Sequence, residues 1–302
     1  MLHITNGESV SLPQTGLPGQ IIYWIDILHD GPVPRGLPLE ELSRIRARFI
    51  AEFFGMPLAE VSFVKRDGAI TCFHDHEEVL LWFEHDLYDQ LQLIQILDWF
   101  SHQDLRHTRV SLICGNHYLG HMHPEQLATL FHTRHPVTAS EFKTAQAAWD
   151  AFCSPEPTGL AALVNSDTSA LPFLHDALLR HLEQFPALRN GLSRAERQIL
   201  QLTGSGLSGF RELFSAAQKM EEHIWMGDST FRQYLQRLTG GKRPLLHSVD
   251  SVFETTAFGR RVYEGREDHL RANGINRWLG GVHLCEGAPV WRWDGGERRI
   301  RP

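Results

Sequence analysis

At 302 residues, with 42% apolar and 22% charged side chains, the chain is long enough for one large domain or two ordinary ones, and its composition excludes disorder as the default. The net charge of −7 is unevenly spread: residues 189–302 hold 18 Lys/Arg against 13 Asp/Glu, a net of +5, while the first 188 residues carry a net of −12 and 14 of the 18 histidines. The apolar runs are too short to cross a bilayer, Met1 to Asn6 lacks the basic and apolar parts of a signal peptide, and Cys72, Cys114, Cys153 and Cys285 form no C-x-x-C pair. These features argue against a membrane partner, a zinc ribbon and a disulfide framework, and they set the expectation of a cytoplasmic protein.

In chain order, Leu2 to Gly7 reads as a short strand ending in a turn, and Gln20 to Leu28 as a second strand broken by His29-Asp30-Gly31-Pro32. Leu39 to Phe54 carries a helical apolar stripe, with Pro38 suited to its first turn. Val79 to Phe83 is a third strand, Leu87 to Phe100 a helix and Arg109 to Cys114 a fourth strand closed by Gly115-Asn116. Strand and helix in this alternation predict crossovers and a mainly parallel, Rossmann-like sheet. Thr138 to Phe152 and Leu171 to Phe185 look helical, and the change in charge balance places a domain boundary so that residues 1–188 form an α/β domain and 189–302 a second one.

From Leu192 the pattern changes. Ser193-Arg194-Ala195-Glu196 is a capping box ahead of a helix, Phe210 to His223 a second helix, and Asp228-Ser229 opens a third whose apolar face is Phe231, Tyr234, Leu235 and Leu238. Leu245 to Val249 and Val252 to Thr256 can pair as a hairpin. Three helices and a hairpin resemble a winged helix, so this mainly α domain, with a C-terminal β extension, is a candidate reader of DNA through Arg232, Arg237, Lys242 and Arg243. Nearby Glu221, Glu222 and Asp228 dilute that basic patch.

The densest polar cluster follows the third strand, in Glu84-His85-Asp86-Leu87-Tyr88-Asp89-Gln90. Buried parallel strands deliver polar side chains to their carboxyl ends, where ligands bind. On a parallel sheet, Asn6, Gly7 and Ser9, then Asp26, His29 and Asp30, then Glu84 to Gln90, then Asn116 and His117 gather on that edge. There His85, Asp86, Asp26 and His29 are the catalytic candidates: His85 as general base or metal ligand, with Asp86 or Asp26 orienting it. Asn6, Gly7, Ser9, Asp89, Gln90 and Asn116 are the candidates for holding ligand. Helix capping would equally account for Asp86 and Asp89, and a pairing with Arg44 or Arg48 for Asp26. No cofactor is specified: His29 with His85 and a carboxylate is a candidate divalent-metal set, but three-ligand spacing is not legible. His74-Asp75-His76 and His117, His121 and His123 read as surface turns. Thr5-Asn6-Gly7-Glu8-Ser9 is neither a Walker loop nor a dinucleotide fingerprint, and Ser9 lacks a nucleophile elbow.

The ordered segments Leu2-His3-Ile4-Thr5-Asn6-Gly7-Glu8-Ser9, Leu28-His29-Asp30-Gly31-Pro32-Val33-Pro34, Trp82-Phe83-Glu84-His85-Asp86-Leu87-Tyr88-Asp89-Gln90-Leu91 and Arg277-Trp278-Leu279-Gly280-Gly281-Val282-His283-Leu284 resemble a bacterial family catalogued only as a domain of unknown function. Glu8 stands where that family has Asp. The resemblance extends over nearly the whole chain and implies no activity. The expectation is therefore an enzyme-like α/β domain, a hydrolase or transferase that takes a small polar or phosphorylated ligand. The alternatives are a ligand-responsive DNA-binding regulator and a non-catalytic assembly module.

Overall fold

A computed structural model describes residues 1–288 and 290–302. Its first part runs β1 (Leu2–Thr5), β2 (Gln20–Tyr23), β3 (Gly31–Pro32), α1 (Leu39–Phe54), α2 (Val64–Thr71), β4 (Glu78–Phe83), α3 (Leu87–Ser101), β5 (Arg109–Cys114), α4 (Pro124–Leu130), β6 (His135–Pro136), α5 (Ala139–Phe152), α6 (Thr158–Val164) and α7 (Leu174–Leu182). Five strands form one sheet in the order β2-β1-β4-β5-β6; all pairings are parallel except β5 with β6. The chain is therefore mixed α/β with a mainly parallel sheet.

Every residue of β4 is buried, because both faces of the sheet are covered. Val79, Leu81 and Phe83 point into the larger core with Leu2, Ile4, Val110 and Leu112, while Leu80, Trp82 and Ile113 face a smaller one closed by Val10, Leu119 and Leu127. The alternation is the period-two geometry of a strand, apolar on both sides. Helix α3 packs against both α5 and α7, so it is buried on nearly all sides and not only along the stripe its spacing suggests. Its buried Gln95 accepts the Trp24 indole N–H at 2.9 Å.

The second part runs α8 (Arg194–Gly204), α9 (Phe210–Gln218), α10 (Asp228–Thr239), β7 (Leu246–Val249), β8 (Val252–Thr255), α11 (Ala257–Tyr263), α12 (His269–Asn273), β9 (Asn276–Gly280), β10 (Val282–Cys285), β11 (Arg292–Asp294) and β12 (Arg299–Arg301). Ser193 caps α8 in a reciprocal capping box with Glu196. β7 and β8 form an antiparallel hairpin, and Gly209, just before α9, bridges Val252 of that hairpin. Leu192, Ile199, Leu213, Phe231, Tyr234, Leu235, Leu245 and Phe258 make a separate core.

Division of the chain at residue 188 does not match the packing throughout. Residues 276–288 and 290–302 leave the second core and return to the first: Leu279, Val282, Leu284, Trp293 and Ile300 lie in it, and β9 pairs in parallel with β3. Gly281 makes that return possible. A Cβ there would stand 1.9 Å from the Cys153 carbonyl oxygen, closer than any side chain tolerates. Gly281→Ala is accordingly expected to lower stability by about 1–3 kcal/mol, as overpacking does. Urea unfolding checks this; an unchanged midpoint would show that the hairpin shifts at no cost.

The strand expected to reach Leu28 ends at Tyr23. Residues 24–30 turn inward and are pinned by Arg46, which reaches from α1 to the Asp30 and Ile27 carbonyls at 2.9 and 3.0 Å.

Candidate functional site

In the sheet order, β1 has β2 on one side and β4 on the other, so the chain reverses its direction of winding between β1 and β4. Open α/β sheets leave a crevice at the carboxyl ends of the strands at such a point. Asn6 follows β1 and Glu84 follows β4, and the two ends are tied across the gap. The Asn6 amide donates to Asp89 Oδ2 at 2.8 Å, and the Glu84 N–H donates to Asp89 Oδ1 at 2.7 Å. Glu84 Oε1 in turn accepts the Leu119 N–H at 2.7 Å, from the loop after β5.

Asp86 is the N-cap of α3; its Oδ1 accepts from Tyr88 N at 2.8 Å and Asp89 N at 3.3 Å. Capping, however, does not explain the company it keeps. Glu84, Asp86 and Asp89 are all buried, and each places a carboxylate oxygen within 4.8 Å of the others. Burial raises the pKa of all three, and repulsion adds to it for two: Asp86 is pushed up to about 7 by burial and by Glu84, and Asp89 is raised well above the ordinary range by burial, Asp86 and Glu84. A cluster of this kind holds protons at neutral pH, or exchanges them for a hard cation, whose preferred ligands are carboxylate oxygens.

His85 lies at the rim. Its ring packs 4.8 Å from Tyr118 and edge-on at 4.7 Å from His223, and its Nδ1 has no hydrogen-bond partner among the described residues. Burial, with His223 beside it, lowers its pKa, so the imidazole is neutral and able to accept a proton at pH 7. It opens on a cavity of about 270 Å³ that is also lined by Leu87, Arg180, Arg194, His223 and Arg298. Arg180 is held by Glu221 at 2.7 and 2.8 Å, and Arg194 by Glu183 at 2.7 Å and Glu222 at 2.5 Å. Arg298 has no carboxylate partner among the described residues.

No protein-family model, curated protein or solved structure matches this chain.

The other expected residues divide. Asn6 and Asp89 join the cluster through their mutual hydrogen bond, and Gln90 straps the strand ends by donating to the Glu84 carbonyl at 2.7 Å and to Cys114 Sγ at 3.3 Å. Gly7 and Ser9 form the turn after β1, with Ser9 exposed beside Gly120; Asn116 and His117 are exposed on the loop after β5.

Asp26 does not join the cluster. It is fully buried and bound by Arg46 at 2.7, 3.0 and 3.1 Å, a closed ion pair that leaves it no catalytic freedom. Arg46 is the partner, not Arg44 or Arg48. His29 is buried between Trp225 and Tyr88 with both ring nitrogens unpartnered among the described residues, and burial pushes its pKa down to about 3. Asp30 faces the second unit, where Tyr234, Arg237 and Arg277 bind it.

Among the expected nucleic-acid residues, Arg237 is therefore occupied. Arg232 lies over Phe210, Arg243 lies over Phe258 and 3.8 Å from Glu267, and Lys242 is exposed. His74 packs against Phe73 ahead of β4, at the opposite end of the sheet; His121 packs on Tyr118, and His123 caps α4. Sequence reading missed Tyr118, His223 and Arg298 as neighbours of His85. They are far from it in the chain, and no local pattern links them.

Proposed function

We propose that this protein is an enzyme of the hydrolase or transferase kind that takes a small polar ligand at the carboxyl edge of a Rossmann-like sheet. One observation carries the reading: the buried carboxylates Glu84, Asp86 and Asp89 gather beside the switch between β1 and β4, and the neutral His85, between them in sequence, lines a cavity of its own. In this reading His85 accepts the proton of the attacking group. The carboxylate cluster stores a proton or holds a divalent cation, and Arg298 attracts an acidic group of the ligand.

The resemblance noted in the sequence fits this arrangement. Its segments contribute Asn6, Asp30, Glu84 to Gln90 and Arg277, and the second of them pairs with the last through β3 and β9. We therefore propose membership of that family.

The order helix, bridge, helix, helix, hairpin also supports a winged-helix reading of residues 193–255. Helix α10, which would enter a groove, instead lies against α1 and spends Arg237 on Asp30. We infer that the unit closes the ligand site, and we do not assign it DNA as a partner.

A thermal-shift panel of sugar phosphates, nucleotides and carboxylic acids, each with and without Mg²⁺ or Mn²⁺, tests the proposal. At least one compound is expected to raise the melting temperature of the wild type by several degrees, with the shift lost in His85→Ala. An unaltered shift in His85→Ala would remove His85 from the account.

A further inference from the structure

The positive charge of the C-terminal region has a focus that the sheet-edge site does not use. Arg189, Arg243, Arg266 and Arg271 line one open pocket of about 370 Å³ with Glu267 and Asp268. Both carboxylates are already committed. Asp268 is bound by Arg292 at 2.6 and 3.2 Å and caps α12 through the Arg271 N–H; Glu267 lies 3.8 Å from Arg243 and 3.6 Å from Arg261. Arg266 is paired with Glu264. Arg189 and Arg271 have no carboxylate partner among the described residues.

Two of the cationic groups, Arg189 and Arg243, are also held in place. Arg189 donates to the Glu264 carbonyl at 2.6 Å and passes over Gly265, where a Cβ would stand 2.3 Å from its Nε; that residue, at φ +76°, has a conformation that favours glycine. The backbone of Arg243 is clamped by Asn273, which accepts its N–H at 2.8 Å and donates to its carbonyl at 3.1 Å, and its guanidinium lies 3.9 Å over the Phe258 ring. Fixed guanidiniums with spare N–H groups match the geometry of phosphate oxygens.

We propose that this pocket binds the phosphate or diphosphate group of a small phosphorylated molecule. The pocket is concave and of limited volume, and Glu264, Glu267 and Asp268 around it oppose a continuous phosphate backbone. The site is separate from the edge that carries His85, and neither proposal depends on the other.

Titration calorimetry of the full chain with inorganic phosphate and with pyrophosphate, at one low ionic strength, tests it. Arg271 and Arg211 are both exposed, and Arg211 lies outside the pocket. Saturable pyrophosphate binding is expected in the wild type, about tenfold weaker in Arg271→Gln, since one charge-assisted contact is lost. It should be unchanged in Arg211→Gln, with the unfolding midpoint of free Arg271→Gln equal to that of the wild type. The proposal is overturned by absent or non-saturable binding, or by equal weakening in Arg211→Gln, which would indicate only a diffuse field. Duplex DNA that binds through Arg271 while pyrophosphate does not would overturn it too, because the pocket would then be part of a nucleic-acid surface.

Discussion

Replacing Asp30 by alanine is expected to cost roughly 3–5 kcal/mol, the penalty for removing one member of a buried charge network. The carboxylate is 1% exposed and is met by Tyr234 at 3.0 Å, Arg237 at 3.2 Å and Arg277 at 3.2 Å. Arg277 is itself nearly buried, so without Asp30 its charge loses the carboxylate it is paired with. Burial alone would raise the pKa of Asp30; Arg237 and Arg277 outweigh it and hold the carboxyl well below the usual carboxylate range. A depressed folded-state pKa contributes stability above the unfolded value of about 3.9, and that stability is lost as pH falls through the folded one. The full cost of Asp30→Ala should therefore appear at pH 7 and shrink in strong acid. Urea unfolding of the wild type and the variant at the two pH values measures it. A difference under about 1 kcal/mol at pH 7 would show that the two units are joined by their apolar contacts and not by this ionic hub.

That network explains why part of the arrangement was legible in the sequence and part was not. The strands of the sheet and the helices α1, α3, α5 and α8 announce themselves through local periodicity and capping, as Ser193 with Glu196 does. The acidic run after β4 is legible for the same reason: a buried strand must end before charges can begin. Asp26 and Asp30 look like neighbours of that run in any linear reading, but Arg46 and Arg277 claim them, and the sequence holds too many arginines to name those two. β9 to β12 are short, and their place is decided by the Gly281 crossing over Cys153 and by the pairing with β3, both of long range. His223 reaches His85 only because the segment after α9 folds over the sheet edge, where the Ile224 N–H donates to the Tyr118 hydroxyl at 2.6 Å.

The carboxylate cluster leads to the opposite pH dependence from Asp30. Asp86 has a folded pKa of about 7 against an unfolded value near 3.9, so between those values the folded state binds more protons than the unfolded one. Stability then falls as pH rises through that window, and the protonated cluster is the relaxed one. Asp86→Asn keeps an oxygen to accept from Tyr88 N and so preserves the cap of α3, but it deletes the charge that repels Glu84 and Asp89. The variant is expected to be more stable than the wild type at pH 8 by roughly 2–4 kcal/mol, and the gap should close toward pH 4. Chemical unfolding at pH 4.5 and pH 8 tests this. A gap of equal size at both pH values would show that Asp86 acts through packing or capping and not through charge. Saturating Mg²⁺ or Mn²⁺ at pH 8 discriminates further. If the cluster takes a hard cation, the metal should raise the melting temperature of the wild type and narrow the gap to Asp86→Asn, because the cation then supplies the neutralisation that the substitution supplies by deletion. Strain retained at a site in this way, and relieved by its ligand, is a common cost of function.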